Sequence, residues 1–137
     1  MSKDNIDNTI DRKGWEFFTL DEMKCKGTGR CEMNEGFMNA LVKLRKVYGK
    51  PMAVSSGFRD PAYNKQIGGA DNSAHIYGKA VDIRVSGVDA WRLVNLAMQG
   101  GFTGIGVKQK GPVNERFIHL DTMGNEDGSP RPAIWSY

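Results

Sequence analysis

No stretch of this 137-residue chain approaches the ~18 consecutive apolar residues that a membrane-crossing helix requires, so insertion into a bilayer is not expected. The opening segment, MSKDNIDNTIDRKGW, lacks an apolar core, and a secretory leader is not expected either. Cysteine is scarce. Cys25 and Cys31 stand with five residues between them and no second pair, which argues against a cysteine zinc knuckle or a CxxC redox site. Without a leader, two reduced thiols are the expectation. Basic residues outnumber acidic ones by only 19 to 16 and are spread along the chain, so a nucleic-acid partner is not expected. The weak positive balance would equally suit another anionic polymer. Histidine, too, occurs only twice, as His75 and His119.

What is present fits one domain, burying about two-thirds of the surface of its unfolded chain. Residues 1–14 are polar and aperiodic and read as a flexible arm, leaving 15–137 as the folded unit. Thr19 and Glu22 stand at capping-box spacing, so a short helix is expected there. Phe37, Leu41, Leu44 and Tyr48 recur at helical intervals behind Asn34, and Gly49 and Pro51 stop that helix. Residues 52–56 read as a buried strand. Asp60 and Pro61 read as the N-cap and first position of a short helix that Gly68 and Gly69 break. Residues 80–85, 104–107 and 117–121 read as strands, with a helix capped by Asp89 and running to Met98 after the first. The tail, GNEDGSPRPAIWSY, reads as mostly irregular. Helices first and short strands later, without βαβ repetition, predict an α+β fold with a small, mainly antiparallel sheet.

The two histidines carry the chemistry. His75 lies seven residues before Asp82, and His119 sits in the apolar run RFIHLD. Two imidazoles and a carboxylate form a ligand set that zinc accepts with a fourth position left for water. Period-two alternation puts Ala80, Asp82 and Arg84 on one strand face, and Gly78 lets the chain turn between His75 and Asp82. The other reading of the same residues is two ordinary structural histidines, and spacing alone does not separate the two.

The local words do more. SGFRDPAYNKQIGG, SAHIYGKAVDI and FIHLD together resemble the D-alanyl-D-alanine carboxypeptidase family of zinc peptidases, which includes murein carboxypeptidases, murein endopeptidases and phage endolysins. The family signature Ser-x-His-x-x-Gly-x-Ala-x-Asp is matched at all five positions by Ser73, His75, Gly78, Ala80 and Asp82. His119 and Asp121 match the His-x-Asp ending of one sub-branch. The resemblance covers about residues 15–135.

The resemblance implies Zn2+ held by His75, Asp82 and His119 at the sheet, with Arg59 binding substrate and stabilising charge at the scissile carbonyl. Many members carry an acid three positions before the last ligand, where this chain has Arg116. That leaves Asp121, which shares the strand face of His119, as the expected general base and Glu115 as the reserve. Asp121 could instead orient a zinc-bound histidine. Ser73 and Tyr77 are expected beside the substrate, Ser73 as a loop support, and Tyr63 and Trp135 as further groove candidates. The implied function is a monomeric zinc peptidase that cleaves peptidoglycan stem peptides or cross-links. The expected residence is a host cytoplasm or phage virion, with action on the cell wall after release. The alternative is a catalytically silent, zinc-stabilised wall-binding or virion structural domain.

Overall fold

A computed structural model describes residues 14–137, so the expected arm, Gly14 apart, lies outside the described residues. The first helix, α1 (Leu20–Met23), opens on the expected capping box. The Thr19 hydroxyl accepts from the Glu22 amide, and the Glu22 carboxylate accepts from the Thr19 amide at 2.8 Å. The second, α2 (Glu35–Tyr48), is capped by Asn34, whose Oδ1 accepts from the Phe37 amide, and ends at Gly49 in the left-handed region. Then follow β1 (Ala53–Ser56), α3 (Pro61–Gln66), β2 (Ala80–Arg84), α4 (Gly87–Gln99), β3 (Gly104–Lys108), β4 (Phe117–Asp121) and β5 (Ala133–Ser136). Single 3-10 turns at Ala74–Tyr77, Val113–Glu115 and Asn125–Asp127 punctuate the later half.

The five strands form one sheet in the order β1-β2-β4-β3-β5, antiparallel throughout except where β5 runs parallel to β3. The α+β expectation is met. The pleat then sorts the side chains. Val81, Ile83, Ile105, Ile118 and Leu120 point to one face and join Phe37, Met38, Leu41, Leu93 and Phe102 in the core. Phe37 and Phe102 meet edge-to-face with ring centroids 5.8 Å apart. The alternate residues of the same strands are released to the opposite face, where the polar side chains gather.

Four local expectations change. Strand β1 is not buried but forms a sheet edge, with Ala53 exposed and Val54, Ser55 and Ser56 half-buried. The tail is not irregular throughout, since Ala133–Ser136 form β5 and add a strand to the sheet edge. Helix α4 begins at Gly87 after Ser86, so Asp89 lies inside its first turn and pairs instead with Lys50 at 3.0 Å. Asp60 does occupy the N-cap position of α3, but its side chain makes no cap bond. Its buried carboxylate is taken by Thr28 and Arg30, which pins the glycine-rich loop between Cys25 and Cys31 against α3. Both cysteines are buried as thiols.

Candidate metal centre and cleft

Cross-strand register assembles the polar face in rows. Ser56, Asp82, His119, Gly106 and Trp135 lie in register across all five strands. One row along, Ala80, Asp121, Gly104 and Ala133 are aligned, and on the other side Arg84, Phe117 and Lys108. Asp82 and His119 are thus direct cross-strand neighbours, a relation that gives adjacent side chains close contact. His75 arrives from the 3-10 turn just before β2. That turn is fixed by Ser73, whose hydroxyl accepts from the His75 amide, and by Gly78 at φ 67°. A side chain at Gly78 would strike the backbone of Glu32 and Met33.

Each imidazole is oriented by a partner at one nitrogen, which leaves the other for coordination. His75 Nδ1 lies 2.7 Å from the Gly57 carbonyl oxygen, which can only accept, so Nδ1 carries the proton and Nε2 is the open atom. His119 Nε2 lies 2.7 Å from Asp121 Oδ2, leaving Nδ1 open toward Asp82. The carboxylate Oδ1 of Asp82 is 3.3 Å from His75 Nε2 and 3.1 Å from His119 Nδ1. Donor atoms of the three residues all lie within 4.8 Å of one another. Metal–ligand bonds of about 2.05 Å at tetrahedral angles would set donors about 3.3 Å apart, so the donor set suits zinc.

Burial alone would push the Asp82 carboxyl up. With no metal bound, the hydrogen bond from a protonated His119 outweighs it and holds Asp82 well below the usual carboxylate range. Burial alone would likewise lower His119, but its hydrogen bonds to Asp121 and Asp82 raise it. Asp121 is fully buried, yet the His119 and Arg131 hydrogen bonds bring it down to about 2.

Residues 16–121 match the family model for peptidase M15. The chain belongs to that family. An alignment 74 positions long, covering 49% of this chain, is 38% identical to the zinc D-Ala-D-Ala carboxypeptidase of Streptomyces albus G and spans 29% of that protein's length. The M15 match contains the His75–Asp82–His119 triad, Arg59 and Glu115, and it stops at Asp121, before Arg131 and β5.

The other residues singled out in the sequence separate clearly. Arg59 reaches the triad: Nη2 lies 3.9 Å from Asp82 Oδ2, Nη1 donates to Asn64 at 3.0 Å, and its amide donates to the His75 carbonyl. Asp121 is near His119 but behind it, on the ring nitrogen that faces away from Asp82. Arg131 grips it with Nε at 3.0 Å and Nη2 at 2.8 Å, and the Met123 amide adds a further bond. Glu115 lies in a 3-10 turn, not on an extension of β4, but it lines the cleft together with Arg59 and Asp82. Ser73, Trp135 and Tyr63 also line the cleft. Tyr77 does not; its hydroxyl donates to Asn72 at 2.6 Å, and Asn72 lines the cleft in its place.

Arg131 and two glycines were not singled out in the sequence. A Cβ at Gly104 would overlap the Asp121 carboxylate, and one at Gly106 would press on His119, Trp135 and Tyr137. Strand β3 is therefore bare where the metal centre needs room. The available signal was the alternation Gly104, Gly106 in a strand, which often marks a close approach.

Proposed function

We propose that this M15 chain is a zinc-dependent peptidase that hydrolyses peptide bonds in peptidoglycan stem peptides or cross-links. The observation that carries the reading is the triad of His75 Nε2, Asp82 Oδ1 and His119 Nδ1 at the junction of two lobes of an open cleft. Zinc bound there would supply Lewis acidity toward a carbonyl and a water whose pKa falls to about 7. The Gly57 carbonyl and Asp121 hold the two imidazoles in the tautomers that leave those nitrogens open.

Arg59 is half-buried beside Asp82 and has donors left over after its bond to Asn64, so it can bind a substrate carboxylate or the oxygen on which charge develops. Glu115 is the general base in this reading. It is exposed in the cleft, where it can take a proton from water and return it to the leaving amine. Asp121 is a positioning residue, because its oxygens are already occupied by His119, Met123 and Arg131. The signature word of the M15 resemblance and the name of the Streptomyces albus G relative support the choice of zinc and of peptidoglycan peptides.

Mass spectrometry of purified murein incubated with the protein tests the proposal. Released stem-peptide fragments are expected, lost with chelator and restored by zinc. Full zinc occupancy with no release would replace the enzyme by a zinc-stabilised wall-binding domain.

A further inference from the structure

The two lobes of the cleft differ in charge. Arg59, Ile67, Asp82 and Phe117 border both, so the lobes are continuous across the triad. One lobe, of about 450 Å³, runs past Gly69, Ser73, Trp135 and Tyr137. Its cation other than Arg59 is Arg131, which Asp121 already neutralises. The other lobe, of about 380 Å³, is walled by Lys24, Lys26, Arg84 and Lys108, and its carboxylates are Asp82 and Glu115.

The basic wall follows from the fold. Arg84 and Lys108 flank Phe117 in the third register row, on the sheet face that carries the triad. Lys24 and Lys26 come from the loop after α1. Lys24 is paired with an exposed Asp21, and Arg84 donates to the Asn114 carbonyl. Among the described residues, no carboxylate lies within ion-pair distance of Lys26, Arg84 or Lys108. Cations left uncompensated on one side of a concave wall create a local positive field that concentrates anions.

We propose that this lobe is a carboxylate-recognising subsite, so that the chain selects peptides bearing a carboxylate on one side of the cleaved bond and uncharged groups on the other. The inference rests on the peptidase reading. The carboxylate can be the free end of the peptide, which makes the enzyme a carboxypeptidase, or an acidic side group within it, which makes it an endopeptidase. A peptide is favoured over an anionic polymer because the basic lobe opens directly onto the triad.

The test uses one synthetic stem pentapeptide in four forms: free acid, C-terminal amide, glutaminyl in place of glutamyl, and both changes together. Binding to chelator-treated protein is measured by calorimetry at low and high salt, and kcat/KM is measured on the zinc-loaded protein. One carboxylate is expected to strengthen binding about tenfold over its amide, the size of a partly desolvated charge-assisted contact, and salt should erode the gain. Which amidation abolishes the gain identifies the source of the carboxylate. In Lys26→Glu/Lys108→Glu the acid-to-amide selectivity should fall about tenfold, with the change in KM and not in kcat. Lys26→Ala/Lys108→Ala, a milder pair, should show the same trend if the double glutamate variant is unfolded. Equal binding and equal hydrolysis of all four forms would overturn the subsite and leave the peptidase standing. Carboxylate-dependent, salt-sensitive binding without hydrolysis of any form would keep the subsite and sink the peptidase. Binding of inorganic polyphosphate that none of the four peptides displaces would assign the lobe to a phosphate polymer and overturn the proposal.

Discussion

Replacing Asp121 by asparagine separates the two duties a carboxylate beside His119 can have. The carboxylate receives hydrogen bonds from His119, the Met123 amide and both Nε and Nη2 of Arg131. Asparagine keeps the shape and one acceptor oxygen, but it loses the charge and turns an NH2 toward either Arg131 or the imidazole. Stranding one partner of a buried ion pair costs about 3–5 kcal/mol. The Arg131 side chain is 14% exposed, so water recovers part of that, and about 2–3 kcal/mol is a reasonable expectation. For a chain of this size the melting temperature should drop on the order of 10 °C. Partners that orient a ligating histidine typically contribute 10–100-fold in metal affinity, or about 1.4–2.7 kcal/mol. Competition against a chromophoric chelator measures the affinity, and peptide hydrolysis at saturating zinc measures turnover. A positioning role leaves saturated turnover within about tenfold of the parent. Unchanged zinc affinity and melting with turnover reduced by about 10³ or more would make Asp121 the base after all.

Glu115→Gln should behave in the opposite way, keeping zinc affinity and melting temperature while saturated turnover falls about 10²–10⁴-fold; retention of turnover would require another base. Gly104→Ala drives a methyl into a carboxylate that four hydrogen bonds hold in place, so it should cost about 1–3 kcal/mol and weaken zinc binding, read by melting and by metal titration. In the zinc-free protein His119 is raised above its ordinary 6.5, so its stabilisation is complete below 6.5 and disappears as pH rises through the higher folded value. Zinc requires the neutral imidazole, so its protection grows over the same interval. The melting-temperature gap between zinc-loaded and chelated protein should therefore widen as pH rises, and a gap that narrows would refute the assignment of His119 as a ligand.

Much of the site was readable because its determinants are local. Ser73, His75, Gly78 and Asp82 occupy one turn and the strand after it, and period-two parity correctly put Asp121 on the face of His119. Parity could not tell which imidazole nitrogen the carboxylate would meet. Residues two apart on a strand are about 6.6 Å apart, far enough for Asp121 to sit on the ring's outer side. Its cationic partner, Arg131, lies in a segment rich in glycine and proline whose composition suggests a loop, and β5 escaped notice for the same reason. A four-residue parallel edge strand gains its hydrogen bonds from β3, a long-range pairing that short patterns do not announce. Glu115 would share the parity of His119 only if the strand reached it, but β4 starts only at Phe117, and a 3-10 turn brings the side chain into the cleft.

The register that places Asp82 opposite His119 also sets a timetable for metal capture. The third donor, His119, comes 37 residues after Asp82 in the chain. A growing polypeptide therefore exposes two donors long before the site can close. Closure then waits on the docking of β4 against β2, and the brace on His119 waits for Arg131, later still. Zinc uptake during synthesis is thus coupled to the last strands of the sheet, and a ribosome-stalled chain that ends between Asp82 and His119 should hold the ion only weakly.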